Sequence, residues 1–187
     1  MLSQCCIFAS VFISLIILAN SAFASYARCM VTTFSKLSEV RKAHRSKRIV
    51  LALGTFDILH PAHVTYLHAA KAYGDVLVVT LKNDEQVRAH KGNERPIVPA
   101  ADRVLMVASL KPVDYALIGA AGDLYMSGLN TAKALNPDVV ALGPDWGPAV
   151  ISDWQRDMPD IDVVVVENPI SRSTTAIIEK IKKASLL

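Results

Sequence analysis

Ile49-Val50-Leu51-Ala52-Leu53-Gly54-Thr55-Phe56-Asp57-Ile58-Leu59-His60-Pro61-Ala62-His63 is the stretch on which the fold turns. A short apolar run that stops at a glycine has the length and composition of a strand buried on both faces. Pro61 suits the first turn of a helix, where its missing N–H is not needed. Ala62–Tyr73 then reads as a helix closed by Gly74. A strand, a glycine turn and a helix start make the kind of junction at which open α/β sheets bind ligands.

The pattern repeats downstream. Val76–Leu81 is a β-branched run and a second strand, followed by a polar, loop-like stretch over Lys82–Ile97 with Gly92 and Pro96 as breakers. Pro99–Leu110 is helical, with Val104, Val107 and Ala108 facing inward and Leu105 as a further candidate. Tyr115–Ile118 is a third strand, Leu124–Leu135 a helix, and Val139–Leu142 a fourth strand ending at Gly143. Val150–Arg156 is a weaker helix, Val163–Val166 a fifth strand and Thr174–Lys183 the last helix. Strands that alternate with helices and are apolar throughout predict an α/β, Rossmann-like doubly wound sheet of about five parallel strands with helices on both faces. There is no internal repeat and no low-complexity tract.

Charge and cysteine usage divide the chain. Between Met30 and Arg48 lie Lys36, Arg41, Lys42, Arg45, Lys47 and Arg48 against Glu39 alone. With Arg28 these exceed the whole chain's net +3, so residues 49–187 are net acidic and give no reason to invoke nucleic acid. Three units are expected: an apolar leader over 1–29, a basic helical segment over 30–48, and a body over 49–187. In the basic segment, Phe34–His44 places Phe34, Leu37 and Val40 or Val31 on one side of a short helix. It reads as a solvated docking helix at the domain edge, with membrane-surface binding as the alternative. Cys5, Cys6 and Cys29 all fall in the leader, so the body holds no disulfide, thiolate metal site or cysteine nucleophile. Ile7–Ala19 followed by Ala22-Phe23-Ala24 has a signal-peptide look, but it lacks the usual positive start and is short for a span. It admits a signal peptide, an anchor, or a start at Met30; the last is favoured, with a cytoplasmic setting and membrane contact only if residues 1–25 are retained.

Gly54, Thr55, Phe56 and Asp57 lead into His60 and His63, and this is where the chemistry concentrates. Gly54 is expected to let the backbone turn tightly where a side chain would obstruct a phosphate. The two histidines, three apart at a helix start, share one face near the positive end of the helix dipole. A triphosphate placed there meets backbone N–H groups and two imidazoles that stabilise charge building at the α-phosphate. Zinc is a poorer fit because no third ligand is adjacent, and the metal ligands, if any, are unknown.

Gly54–His63 resembles the GxFDxxHxGH signature of the cytidylyltransferase-like superfamily of HxGH nucleotidyltransferases, and the resemblance extends over Ile49–Ile181. Lys91-Gly92 with Arg95-Pro96 and Arg103 resembles a stretch of the heptose 1-phosphate adenylyltransferases. Gly143-Pro144-Asp145-Trp146 resembles the family's GxDx loop, and Ser173-Thr174-Thr175 with Ile177-Ile178 its closing segment. The resemblance implies that His60 and His63 bind the β- and α-phosphates. It implies backbone contacts from Thr55 and Phe56, a loop-shaping role for Asp57, and neutralisation of the α-phosphate and acceptor phosphate by Lys91. It further implies that Arg103 orients the acceptor, that Gly143 and Asp145 line the ribose and base, and that Ser173 and Thr174 hold the β- and γ-phosphates. From the residues alone, Lys91 reads as a cation in a mobile, glycine-flanked loop. Ser173 and Thr174 also satisfy plain helix capping. Arg103 in an apolar helix face needs a partner, for which Asp102 and Glu94 are structural candidates. Trp146 either stacks on a base or plugs the core. One departure stands inside the signature: Ala62 occupies the family's glycine position, where its methyl group could crowd the ligand. Pro61 also occurs in the archaeal-type FAD synthases.

The chain is thus expected to move an NMP group, AMP from ATP ahead of CMP from CTP, onto a small phosphorylated acceptor with release of pyrophosphate. Mg²⁺ would bridge the triphosphate oxygens. Sugar phosphate, FMN and glycerol 3-phosphate or phosphoethanolamine compete as acceptors, because the sequence also resembles archaeal-type FAD synthases and glycerol-3-phosphate cytidylyltransferases. A homodimer fits the family. A non-catalytic nucleotide-binding module is the reading from another class.

Overall fold

The apolar runs assemble into one parallel sheet in the computed structural model, which describes residues 30–120, 124–167, 170 and 172–184. The elements are β1 (Met30–Val31), a 3₁₀ turn (Phe34–Lys36), α1 (Leu37–Ala43), β2 (Ile49–Gly54), α2 (Pro61–Lys71), β3 (Val76–Leu81), α3 (Asp84–Lys91) and α4 (Ala100–Ala108). They continue through β4 (Tyr115–Ile118), α5 (Leu124–Leu135), β5 (Val139–Leu142), α6 (Pro148–Asp157), β6 (Asp162–Val165) and α7 (Thr174–Ala184). The leader over 1–29, with all three cysteines, lies outside the described residues. No helix among the described residues is long and apolar enough to cross a membrane.

The sheet has six strands in the order β1-β4-β3-β2-β5-β6, every pairing parallel. Alternation along the strands sends side chains to two separate cores. Val50, Ala52, Leu77, Val79, Val139 and Ala141 pack under α2 and α4, against Tyr66, Leu67, Ala70, Val104 and Val107. Ile49, Leu51, Leu53, Val78, Val140 and Leu142 pack on the opposite face against α1, α5 and α6 through Leu37, Val40, Leu129, Leu135 and Trp154. Both faces are covered, which is why the strands are apolar without interruption. The chain runs outward from β2 through β3 to β4, then returns to the other side of β2 for β5 and β6. That reversal opens a crevice at the carboxyl ends of β2 and β5.

Two expectations change. The sixth strand is β1, too short to announce itself by pattern, yet its Met30 and Val31 register with Tyr115 and Ala116. The stretch Lys82–Ile97 is not all loop: α3 forms within it, because Asn83 and Gln86 make a capping box, Asn83 Oδ1 accepting from the Gln86 amide at 2.8 Å and Gln86 Oε1 from the Asn83 amide at 2.9 Å. The basic segment docks through one side as expected, although Phe34, placed on that side, stays exposed. Leu37 is fully buried and Val40 nearly so, while the cationic residues stay outward and Arg41 pairs with Asp138 at 2.9 Å. Asp138 also accepts from the Ile49 amide at 2.7 Å, so α1 is tied to the start of the central strand.

Leu37→Ala leaves a cavity in that second core and should lower unfolding free energy by about 3 kcal/mol in urea denaturation. A loss under about 1 kcal/mol would mean that α1 is peripheral to the fold.

Candidate active site

The crevice contains a cavity of about 850 Å³, and its lining includes Gly54–Asp57, His60, His63, Lys82, Lys91, Gly143–Trp146 and Ser173–Thr174. Twelve of the thirteen residues expected from the sequence therefore meet here, from segments that follow β2, β3, β5 and β6. Arg103 is the exception.

His60 is the N-cap of α2, in extended backbone, and His63 follows after one turn. Their rings stack at a centroid separation of 3.7 Å and an interplanar angle of 17°. Nδ1 of each is buried with no hydrogen-bond partner among the described residues. Burial, reinforced by His60 and Lys91, holds His63 down to about 4, with Asp57 opposing; burial also lowers His60. Both imidazoles are neutral at physiological pH, each with a single N–H to donate.

The approach to this pair is shaped by Phe56. Its φ of +52° lies in the left-handed region, an uncommon conformation for a bulky residue, and its ring is packed 5.1 Å from His63 and 6.4 Å from Tyr66. A Cβ on Gly54 would sit 2.5 Å from that ring. Gly54 is thus required for space beneath Phe56, within a regular strand, rather than for a tight turn. Gly143 has the same kind of reason, since a Cβ there would lie 2.6 Å from Asp145 Oδ1. The Tyr66 hydroxyl donates to the Ala141 carbonyl at 2.8 Å and so joins α2 to β5 beneath the site. Ala62 is buried in the cavity wall, so its side chain forms part of the surface a ligand would meet.

Asp57 is spent on the protein. Its carboxylate accepts from the Ile97 and Val98 amides, both at 2.9 Å, and from Arg95 Nε at 2.7 Å, with Arg95 Nη2 at 2.6 Å. Burial pushes it up, but the Val98 and Ile97 amides and Arg95 outweigh that and hold it below its ordinary value. Ser173 Oγ accepts from the Ala176 amide at 3.2 Å, so the capping role expected for it is present. Trp146 both lines the cavity and packs against the second core. Lys91 is the last residue of α3, before Gly92 at φ +88°, rather than part of a loop. Partial desolvation, then Arg95, pulls it below its ordinary value.

Arg103 does not reach the cavity, which corrects its expected contact with the acceptor. It is fully buried and donates to the carbonyls of Val98 (2.9 Å), Thr55 (2.5 Å) and Lys82 (2.9 Å) and to Asp84 (2.7 Å). Its ionic partner is Asp84, not Asp102 or Glu94, because α3 brings Asp84 alongside. Lys82 is a lining residue that sequence reasoning misses, since it looks like the start of a polar loop. Its signal is its place as the first residue beyond a buried parallel strand, at the edge where such sheets bind ligands.

Residues 51–184 match the cytidylyltransferase-like family. The bifunctional protein HldE of a Nitratiruptor species is 41% identical over 74% of this chain and 28% of its own length. That of a Helicobacter pylori strain is 37% identical over 82% of the chain and 31% of its own. The chain thus spans under a third of the length of these curated relatives. A crystal structure of the lipopolysaccharide core biosynthesis protein from Thermoplasma volcanium superposes with a TM-score of 0.57 at 31% identity, covering 66% of this chain and 99% of that one. Pantoate-beta-alanine ligase from Francisella tularensis, at 14% identity and a TM-score of 0.58, shares the fold over 82% of this chain and 77% of its own.

Arg103→Met strands three carbonyls and Asp84, and should cost about 3 kcal/mol of stability in urea denaturation. Wild-type stability would instead return Arg103 to ligand binding. His63 supplies a pH test. The unfolded chain protonates it near 6.5 and the folded chain near 4, so the unfolded state binds more protons between them and stability falls as pH drops through that window. His63→Gln should flatten the slope of stability against pH between 6.5 and 4; an unchanged slope would show that His63 is not held neutral.

Proposed function

Because the chain belongs to the cytidylyltransferase-like family, we propose that it is a nucleotidyltransferase that moves AMP from ATP onto a sugar phosphate and releases pyrophosphate. The observation that carries the reading is the stacked pair of neutral histidines at the start of α2, set in a cavity whose cations have few carboxylates to answer them. Asp57 is neutralised by Arg95, which leaves Asp145 as the lining carboxylate opposite Lys82 and Lys91.

The chemistry follows from that arrangement. The acceptor's phosphate oxygen attacks the α-phosphorus in line, a P–O bond forms, the α–β bridging P–O bond breaks, and pyrophosphate leaves with the electron pair. A phosphate is already an anionic nucleophile, so no strong base is needed, and the site accordingly offers donors rather than a carboxylate pair. Each histidine donates a ring N–H to oxygens on which charge accumulates, from rings already held in place by burial and stacking. Ser173 and Thr174, at the start of α7, face the β- and γ-phosphates. No cluster of His, Cys, Asp and Glu among the described residues is built to hold an ion by itself, so a magnesium ion would be carried by the triphosphate, with Asp145 the lining carboxylate that could help hold it. When bound, that ion offsets the charge of the leaving pyrophosphate.

Support for a sugar phosphate over FMN comes from the relatives named above and from the Lys91–Arg103 block, which resembles the heptose 1-phosphate adenylyltransferases. A cytosolic setting, where nucleoside triphosphates are available, goes with this activity.

Pyrophosphate release from ATP or CTP with a panel of sugar 1-phosphates, FMN, glycerol 3-phosphate and phosphoethanolamine tests the proposal. ATP with a sugar 1-phosphate should give the highest kcat/KM, and His63→Ala should lower kcat at least a hundredfold, about 2.7 kcal/mol of transition-state stabilisation, while the protein stays folded. Nucleotide binding without release for every pairing would make the chain a binding module.

A further inference from the structure

Lys82 is a cation that the fold holds in place without giving it an ionic partner among the described residues. Its amide donates to the Gly54 carbonyl at 3.0 Å, and its own carbonyl accepts from Arg103 at 2.9 Å. The next residue, Asn83, caps α3. Its backbone is therefore fixed on both sides, at the point where β3 ends and the cavity begins. The side chain is half-buried in the cavity wall, beside a narrow recess bounded by Leu53, Gly54, Leu81, Gln86 and Gly128. Other cations that the fold buries to a similar or greater degree, Arg41, Lys71, Arg95 and Arg103, each have a carboxylate in salt-bridge contact. The charges that reach Lys82 are Lys91, which repels it, and Asp145 across the cavity, which attracts it more weakly. Burial, then Lys91, brings it down to about 8. Taking a cation partly out of water beside another cation is costly unless an anion arrives to compensate.

Its position identifies which anion. Beyond the loop after β2 and Lys91, the residues expected to hold the ribose, base and β- and γ-phosphates follow β5 and β6, on one side of β2; Lys82 follows β3, on the other. In an in-line displacement the attacking and leaving oxygens stand on opposite sides of the α-phosphorus. With the β- and γ-phosphates toward α7, the attacking phosphate must enter from the β3 side. We propose that Lys82 is an acceptor-binding residue that grips the nucleophilic phosphate of a phosphomonoester and holds it in line, on the flank of the site opposite the triphosphate tail. This assignment rests on the nucleotidyl-transfer reading above. It gives the acceptor phosphate a second cation besides Lys91, held on a fixed strand end rather than at the terminus of a short exposed helix.

Calorimetric titration of the full chain separates Lys82 from that reading. With α,β-methylene-ATP and Mg²⁺, Lys82→Met should bind within about twofold of wild type. When inorganic phosphate is then titrated into the nucleotide-loaded protein, Lys82→Met should bind at least about tenfold more weakly, and Lys82→Arg should restore binding to within about threefold. Lys82→Gln serves as a second charge-free variant, and thermal melting establishes which of the two is folded. Equal phosphate affinity with and without the charge overturns the proposal. So does absence of phosphate binding to wild type, or a tenfold loss of nucleotide affinity in the variant, which would put Lys82 on the triphosphate. Failure of nucleotidyl transfer itself would show as no pyrophosphate release by wild type across the panel, whatever the phosphate titration gives.

Discussion

The site depends on one buried guanidinium. Arg103, inside the apolar face of α4, satisfies its donors on the carbonyls of Thr55, Lys82 and Val98 and on Asp84. Those groups belong to three segments far apart in sequence: the loop after β2, the junction of β3 with α3, and the run before α4. Each would otherwise end in carbonyls turned away from any strand or helix ladder, and an unpaired buried carbonyl is costly. One planar, permanently charged group with five donors answers all of them at once, which lysine could not do. Asp57 is the counterpart on the other side of the same loop, taking the amides of Ile97 and Val98 and the charge of Arg95. Between them, these two ionic centres fix residues 55–57, 82–84 and 95–98 relative to one another before any ligand arrives.

Within that frame the cavity has a definite electrostatic character. Its histidines are neutral because burial costs an imidazolium more than its surroundings return, and each presents a donor without presenting a full charge. Lys82 and Lys91 are both lowered by desolvation and then by a neighbouring cation, Lys91 for Lys82 and Arg95 for Lys91, while Asp145 opposes the shift at both and Asp57 at Lys91. The opposing carboxylate, Asp145, lies across the cavity on the loop after β5. A cavity of this kind is short of negative charge and gains most from a ligand with several phosphates. Phe56 adds the shape: its strained backbone and packed ring keep the floor next to His63 apolar, and Gly54 makes room for it.

The doubly wound architecture is legible in the order and composition of the apolar runs, because strands covered on both faces cannot alternate with polar residues. The boundaries of Val76–Leu81, Tyr115–Ile118, Leu124–Leu135 and Val139–Leu142 come directly from those runs. What pattern alone misses is decided by single polar contacts or by partners distant in the chain. A two-residue strand has no periodicity and exists through its pairing with β4. The α3 helix is amphiphilic over too few residues to show against its charged surface, and its capping box is two polar residues within a polar stretch. Leu37 and Val40 read as the docking side of a helix, but the surface they dock on, α5 and the sheet, comes from segments distant in the chain.

By itself, the sequence determined that this is a parallel α/β protein and nominated Gly54–His63 as an anion-binding junction, because strand burial, proline at a helix start and histidines three apart are local properties. It also nominated most of the residues that line the cavity, since those follow strand ends, where ligands of such sheets sit. Only the tertiary structure decided what each one does. Whether an arginine faces a substrate or three carbonyls, whether a histidine is neutral, and whether a lysine has a partner depend on desolvation and on neighbours contributed by other segments. Gly54–His63 signals phosphate chemistry in sequence; the surrounding fold makes its imidazoles neutral and sets Lys82 across β2 from the loops after β5 and β6.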